Sequence, residues 1–289
     1  MTSPSLLVSP QWLADNIGNP QVAIVDCRFA LANPQQGQDE YRAGHIPGAF
    51  YLNLDRDLSS PVQVHGGRHP LPDPDRLAAK LVEFGIRQGE TLVVAYDSSR
   101  MAFAARCWWL LRYLGHENVA ILDGGWPQWQ AGGYPISQEE EQAKQSGVFV
   151  PQVQSDWVVD GEQIQKLGDR EDVVVVDSRD YDRYIGKVEP IDPVAGHIPG
   201  AINQPWKGIT TESGWSKSVA DQQARWQDYQ NTEELWVYCG SGVTACVNLF
   251  SLALAGRSRE KLYAGSWSDW CSYPDRPIAT EFPEERAKA

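Results

Sequence analysis

Cys239 stands where a thiol can be made reactive. The stretch Val237-Tyr-Cys-Gly-Ser-Gly-Val-Thr-Ala245 reads as the end of a buried strand over 235–238, a loop of small residues, and a helical run over 245–255 that stops before Gly256. Amides in such a loop have no strand or helix partner and point inward, and the helix N-terminus adds about half a positive charge. Both favour thiolate over thiol. Gly240 and Gly242 let the backbone wrap closely around the sulfur, so Gly240, Gly242, Val243 and Thr244 are the expected substrate-binding residues of the loop. The plain alternative is that Cys239 is a packed, inert thiol. A cysteine phosphatase would use a comparable loop but needs an arginine six positions after the nucleophile to hold its dianion. That position is Ala245.

A strand that delivers such a loop needs a sheet around it. Short strands over 6–8, 22–26, 50–54, 91–96 and 119–122 alternate with helical patterns, notably a helix opening at Ser9-Pro10, one over 73–84 and one over 102–114. Alternation of this kind implies an α/β fold with a largely parallel sheet covered on both faces.

The second half repeats the order of the first, and internal repeats outrank single motifs as guides to architecture. Asp177-Ser178-Arg179 answers Asp26-Cys27-Arg28, and Gly196-His-Ile-Pro-Gly-Ala201 repeats Gly44-His-Ile-Pro-Gly-Ala49 letter for letter. Val237-Tyr238-Cys239 answers Ala95-Tyr96-Asp97, and Trp267 with Trp270 answers Trp126 with Trp129. Two copies of one domain follow, expected as 1–136 and 151–289 with a polar, acidic linker over 137–150. Because Asp97 stands where the second copy has Cys239, the first copy is expected to be inactive and the second catalytic, with the site between them. His45 and His197 recur in both copies, including the one without a nucleophile, and are therefore read as fold-forming.

Composition narrows the partners. Of 289 residues 42% are hydrophobic and 22% charged, as in an ordinary globular protein, and the net charge of −13 argues against nucleic-acid and anionic-membrane surfaces. No run of eighteen apolar residues and no signal-peptide pattern at the amino terminus point to a cytoplasmic protein. Five cysteines without a C-x-x-C pair argue against a disulfide framework or a structural zinc site, and Cys27, Cys107, Cys246 and Cys271 are expected to pack. No nucleotide fingerprint or phosphate loop is present, so no cofactor is expected.

The paired Gly-His-Ile-Pro-Gly-Ala motifs, the cysteine loop, the ending Leu262-Tyr-Ala-Gly-Ser-Trp-Ser-Asp-Trp270, and Asp177-Ser-Arg179 with Arg183-Tyr184 together resemble the tandem-domain rhodanese-like sulfurtransferases. The loop Cys239-Gly-Ser-Gly-Val-Thr244 is similar to that of the branch using 3-mercaptopyruvate. Relatives using thiosulfate carry basic residues where this chain has Gly240 and Ser241. The resemblance implies two rhodanese-like domains of five mostly parallel strands each, and a Cys239 that cycles through a persulfide. It also implies that Asp55 and His69 of the first domain reach the loop serine, Ser241, with His65 a competitor for the histidine role. By the same resemblance Arg183, and with it Arg179, would bind the donor carboxylate. Arg179 has a second reading, a buried ion pair at the strand end, which its counterpart Arg28 favours. A further carboxylate-binding arginine is expected before the second Gly-His-Ile-Pro-Gly, where residues 189–193 offer Glu-Pro-Ile-Asp-Pro instead. The implied function is transfer of a sulfane sulfur from 3-mercaptopyruvate to a thiol or cyanide, thiosulfate:cyanide transfer being the alternative. A low-molecular-weight thiol or a thioredoxin-like protein is the expected thiol acceptor. A non-enzymatic sulfur carrier would have no use for the Asp55 and His69 pair.

Overall fold

The computed structural model describes residues 5–142, 147–167 and 170–281. Residues 143–146 of the expected linker and 282–289 of the expected second domain lie outside them. In the first domain the chain runs β1 (Leu7–Val8), α1 (Pro10–Asp15), β2 (Val22–Asp26), α2 (Gln36–Ala43), β3 (Ala49–Tyr51), α3 (Pro74–Glu83), β4 (Leu92–Tyr96), α4 (Ala104–Tyr113), β5 (Val119–Leu122) and α5 (Gly125–Ala131). The second repeats it as β6 (Val158–Val159), α6 (Gly161–Leu167), β7 (Val173–Asp177), α7 (Tyr181–Tyr184), β8 (Ile202–Asn203), α8 (Val219–Trp226), β9 (Glu234–Tyr238), α9 (Ala245–Leu254), β10 (Lys261–Tyr263) and α10 (Ser266–Trp270). The strand orders are β1-β5-β4-β2-β3 and β6-β10-β9-β7-β8, with every pairing parallel. Helices cover both faces, so the central strands β2, β4, β7 and β9 carry apolar runs rather than alternation.

The local signals act where the residues place them. Ser9 caps α1, its Oγ accepting from the Trp12 amide at 3.1 Å, and the Asp73 carboxylate caps α3 by accepting from the Arg76 amide at 2.9 Å. The strand expected over 50–54 is shorter, because the Asn53 side chain accepts from the amides of Asp55 (3.0 Å) and Arg56 (3.1 Å) and turns the chain there. That turn sets Asp55.

The repeated Gly-His-Ile-Pro-Gly motif is a structural joint. His45 stacks on Tyr41 and His197 on Tyr184, both at 3.9 Å between ring centroids, and each Nδ1 meets the carbonyl of the tyrosine it covers. The Ile46 and Ile198 amides donate to the hydroxyls of Tyr96 and Tyr238 at the ends of β4 and β9.

Two helices join the halves. Nearly every residue of α4 and α9 is buried, because each faces its own sheet on one side and the other domain on the other. Trp108 meets Phe250 edge-on at 5.0 Å across the contact. The loops that open these helices, 97–103 and 239–244, therefore lie at the seam. The crossing between domains runs longer than 137–150: Gln152 and Gln154 donate to the Leu114 and Tyr113 carbonyls, and Trp157 packs under the Arg112 guanidinium. The chain leaves the first domain only where β6 begins.

Candidate active site

Cys239 follows directly on β9, and its backbone is held from outside. Its amide donates to Ser266 Oγ at 3.1 Å, its carbonyl accepts from the Trp267 amide at 3.0 Å, and the Gly240 carbonyl accepts from the Ser268 amide at 2.9 Å. Tied along that edge, the loop turns at Gly242, whose φ of +77° favours glycine and whose missing Cβ leaves room for the Ala264 carbonyl. Among the described residues the amides of Gly240, Ser241, Gly242, Val243 and Thr244 make no hydrogen bond. Such a row of free N–H groups is an anion cradle.

The first domain shows what that cradle holds. Asp97, at the place of Cys239, accepts from the amides of Ser99 (2.7 Å), Met101 (3.1 Å), Phe103 (2.8 Å) and Ala104 (2.8 Å). Burial pushes the Asp97 carboxyl up, while these four amides pull it down. In one copy the loop is closed on its own carboxylate; in the other it is open around a sulfur.

Cys239 is buried, yet with Gly240, Ser241, Val243 and Thr244 it lines a cavity of about 420 Å3 at the domain seam. Phe29, Ala102 and Phe103 of the first domain form an apolar wall, and Arg68, Arg183 and Lys207 supply positive charge. Lys207 is paired with Asp180 at 2.9 Å.

Ser241, His69 and Asp55 come together across the domains. Ser241 Oγ lies 2.7 Å from His69 Nδ1, and His69 Nε2 lies 3.4 Å from Asp55 Oδ1. Burial, with the charges of Arg106 and Arg68, pushes the His69 pKa down to about 3, so the imidazole is neutral near pH 7. With Asp55 Oδ1 beside Nε2, the tautomer that carries its proton there leaves Nδ1 to accept from the serine hydroxyl. Partial burial also raises the Asp55 carboxyl. His65 does not compete: it stacks on Tyr273 at 3.9 Å and bonds Ser272 Oγ at 2.8 Å. Together with the Gly66 amide on Asp269 (2.7 Å) and the Arg68 amide on Ser268 Oγ (3.1 Å), it straps the His69 segment onto the second domain.

Arg183 borders the cavity, anchored to Glu189 through Nε at 3.0 Å and Nη2 at 2.6 Å. Arg179 does not. Its buried guanidinium grips Asp177 (Nη2 to Oδ2, 2.6 Å), the Gly196 carbonyl (2.6 Å) and Glu189 (3.2 Å), as Arg28 grips Asp26 and the Gly44 carbonyl. The substrate-binding expectation for Arg179 is thereby corrected: its donors are consumed in locking the strand end to the Gly-His-Ile-Pro-Gly turn. Gly242 is likewise absent from the cavity wall; its carbonyl points back to receive Arg106 Nη1 at 3.1 Å and Cys246 Sγ at 3.4 Å.

Two arginines escaped the sequence reading. Arg68 was hidden beside His69. Arg106, fully buried on α4, donates to the carbonyls of Gly242, His69 (3.2 Å) and Leu58 (3.5 Å), joining the backbones of both functional loops. Its position within an apolar helix, at the heart of the seam, was the one available signal. Burial pushes the Cys246 thiol up to about 12 and raises Cys27 well above its ordinary value, and Cys107 is buried beside Cys27. Among the described residues no group of histidine, cysteine and carboxylate side chains is arranged to hold a metal.

The description "Rhodanese-like domain" matches residues 9–132 and 160–273. The chain is 44% identical, over 97% of its length and 99% of the relative's, to a Pseudomonas aeruginosa protein named "Probable 3-mercaptopyruvate sulfurtransferase". It is 31% identical to the thiosulfate sulfurtransferase of Rattus norvegicus, over 91% of each chain. The crystal structure of SseA from Escherichia coli, described as a 3-mercaptopyruvate sulfotransferase, superposes with a TM-score of 0.79 at 31% identity, covering 91% of this chain and 99% of that one.

Proposed function

The chain belongs to the rhodanese family, both halves being rhodanese-like domains, and from that premise we propose that it moves a sulfane sulfur from 3-mercaptopyruvate to a thiol or cyanide through a persulfide on Cys239. The observation that carries this reading is the Ser241, His69 and Asp55 chain beside an open amide cradle. A proton relay is useful only with a donor that has a proton to lose.

In the first half-reaction the Cys239 thiolate attacks the donor sulfur and an S–S bond forms. The donor C–S bond breaks, its electron pair passing to the methylene carbon as the enolate of pyruvate. The thiol proton of the donor passes to Ser241 as Ser241 gives its own to the neutral Nδ1 of His69, and it returns to the enolate carbon to release pyruvate. Asp55 orients the ring and favours the transient imidazolium. The persulfide anion then lies among the amides of 240–244, a covalent intermediate that divides one hard step into two. An acceptor thiolate or cyanide takes the outer sulfur and restores the Cys239 thiolate. Acceptors are small thiols or a thioredoxin-like protein, in the reducing cytoplasm that five unpaired cysteines suit. Among the described residues no helix is long and apolar enough to cross a membrane.

Thiosulfate is the second reading, favoured by the two arginines at the cavity and by the rat relative's name. Attack on its outer sulfur expels sulfite and needs no proton transfer. Steady-state rates of wild type and Ser241→Ala with each donor separate the two. The relay predicts a loss of about 100-fold with mercaptopyruvate and under about 5-fold with thiosulfate; equal losses would remove the relay from the mechanism.

A further inference from the structure

We propose that Arg100 of the first domain is a positioning residue for sulfur transfer: it reaches across the seam to fix residues 206–210, the part of the cavity wall built from Trp206 and Lys207, and so sets how firmly the donor is held. The inference rests on the reading that the donor occupies this cavity, and it holds for either donor.

The repeat singles Arg100 out. In the register that sets Asp97 against Cys239, Arg100 stands against Gly242. Both turn through the left-handed region, with φ of +57° at Arg100 and +77° at Gly242, and Met101 follows at +73°. Glycine takes that conformation freely, whereas a Cβ there crowds the backbone. The loop is held in it nonetheless, because the Asp97 carboxylate accepts from the amides on both sides of Arg100, those of Ser99 and Met101, and from those of Phe103 and Ala104. A long side chain kept in a costly turn, where the catalytic copy has glycine, points to a task for that side chain.

The task lies in the other domain. Arg100 Nε donates to Thr210 Oγ1 at 2.8 Å, and Nη2 donates to the carbonyls of Lys207 (2.6 Å) and Thr210 (3.2 Å). Among the described residues every hydrogen bond of its guanidinium crosses the seam. The segment it grips is a short 3-10 helix, Trp206–Ile209, tied to its own domain by the Trp206 amide on the Ser178 carbonyl (3.0 Å) and by Gln222 Nε2 on the Ile209 carbonyl (2.9 Å). Farther along the chain Gln128 Nε2 donates to the Ser213 carbonyl at 2.8 Å and Asp123 accepts from the Ser216 amide at 2.7 Å, so the first domain holds this arm at three places. Arg100 is the one that meets it beside the cavity residues. Trp206 and Lys207 line the cavity with Cys239, while Arg100 and Thr210 do not, so Arg100 acts through the segment and not on the donor. The copy without a nucleophile thus uses its closed loop as a rigid base for a clamp. A wall fixed before the donor arrives costs no binding energy to order. The Cys239 loop and the Ser241, His69 and Asp55 chain make no hydrogen bond with Arg100, so binding is affected and the chemical step is spared.

The test compares wild type, Arg100→Gly and Arg100→Lys, each checked for folding by thermal melting; Arg100→Gly suits the turn while removing the clamp. Steady-state rates are measured with mercaptopyruvate and with thiosulfate, and native trypsin cleavage after Lys207, whose side chain is half exposed, is followed by mass spectrometry relative to cleavage after Lys166. Arg100→Gly should raise KM for both donors about 5- to 20-fold with kcat within about 3-fold. Relative cleavage after Lys207 should quicken at least about tenfold, because the segment opens locally. Arg100→Lys, which keeps a cation without the fork, should recover part of both effects. An unchanged KM overturns the proposal even if cleavage quickens, and a raised KM with unchanged cleavage overturns it too, since the segment would then be fixed without Arg100. A loss confined to kcat likewise overturns it. A wild type active with thiosulfate alone defeats the mercaptopyruvate reading instead, and the thiosulfate KM of Arg100→Gly then decides by the same criteria.

Discussion

Acidification from about pH 7.5 to about pH 5 should destabilise the folded protein by about 2 kcal/mol through His69 alone. The imidazole is only 6% exposed, and burial with the charges of Arg106 and Arg68 pushes its pKa down to about 3 from an ordinary 6.5. Between those values the unfolded chain carries a proton on His69 and the folded chain does not. The unfolded state therefore gains as pH falls, and the folded state keeps its full advantage only above about 6.5. At about pH 5 the gap is about 1.5 pH units, each worth about 1.4 kcal/mol. Urea unfolding of wild type and His69→Gln at both pH values isolates the contribution, because His116, also lowered by burial, acts alike in both. The wild type should lose about 2 kcal/mol more than the variant. Identical pH dependence in the two would mean that folding does not lower the His69 pKa, so that at about pH 5 the folded protein would carry an imidazolium unable to accept the proton of Ser241.

Gly242→Ala should lower stability by about 1–3 kcal/mol, because it forces a side chain into a positive-φ position and onto the Ala264 carbonyl; a thermal melt reads it directly. Turnover should fall with both donors, since the cradle itself is displaced. Arg106→Met should cost about 3 kcal/mol in urea unfolding by leaving the His69 and Leu58 carbonyls without their donor and the Gly242 carbonyl with Cys246 Sγ alone. It should slow mercaptopyruvate and thiosulfate alike, in contrast to Ser241→Ala; undiminished stability would show that the guanidinium is not what joins the loops.

The architecture was legible because each domain writes its own signature. Val22–Asp26 and Val173–Asp177 each end in an aspartate with an arginine two residues on, and the same six-residue motif follows each. Tyr96 and Tyr238 then close onto that motif through local rules that a sequence carries. Pairings across the seam follow no such period. Nothing in the chain says that Arg68 will face Arg183, that Arg106 will reach both Gly242 and His69, or that His65 will leave for Tyr273. The Ser241, His69 and Asp55 grouping came from resemblance, and the structure brings those three residues together. Arg179 went the other way: the resemblance placed it in the substrate site, while Asp177, two residues before it, takes its guanidinium. Its twin Arg28 in the copy without a nucleophile was the clue that pointed to structure.

Intact-protein and peptide mass spectrometry after exposure to mercaptopyruvate without an acceptor tests the central assignment most directly. An adduct of about 32 Da, one sulfur atom, is expected, confined to Cys239, removed by cyanide or a thiol, and absent from Cys239→Ser. A labile sulfur on Cys27, Cys107, Cys246 or Cys271, or sulfur transfer that persists in Cys239→Ser, would contradict it.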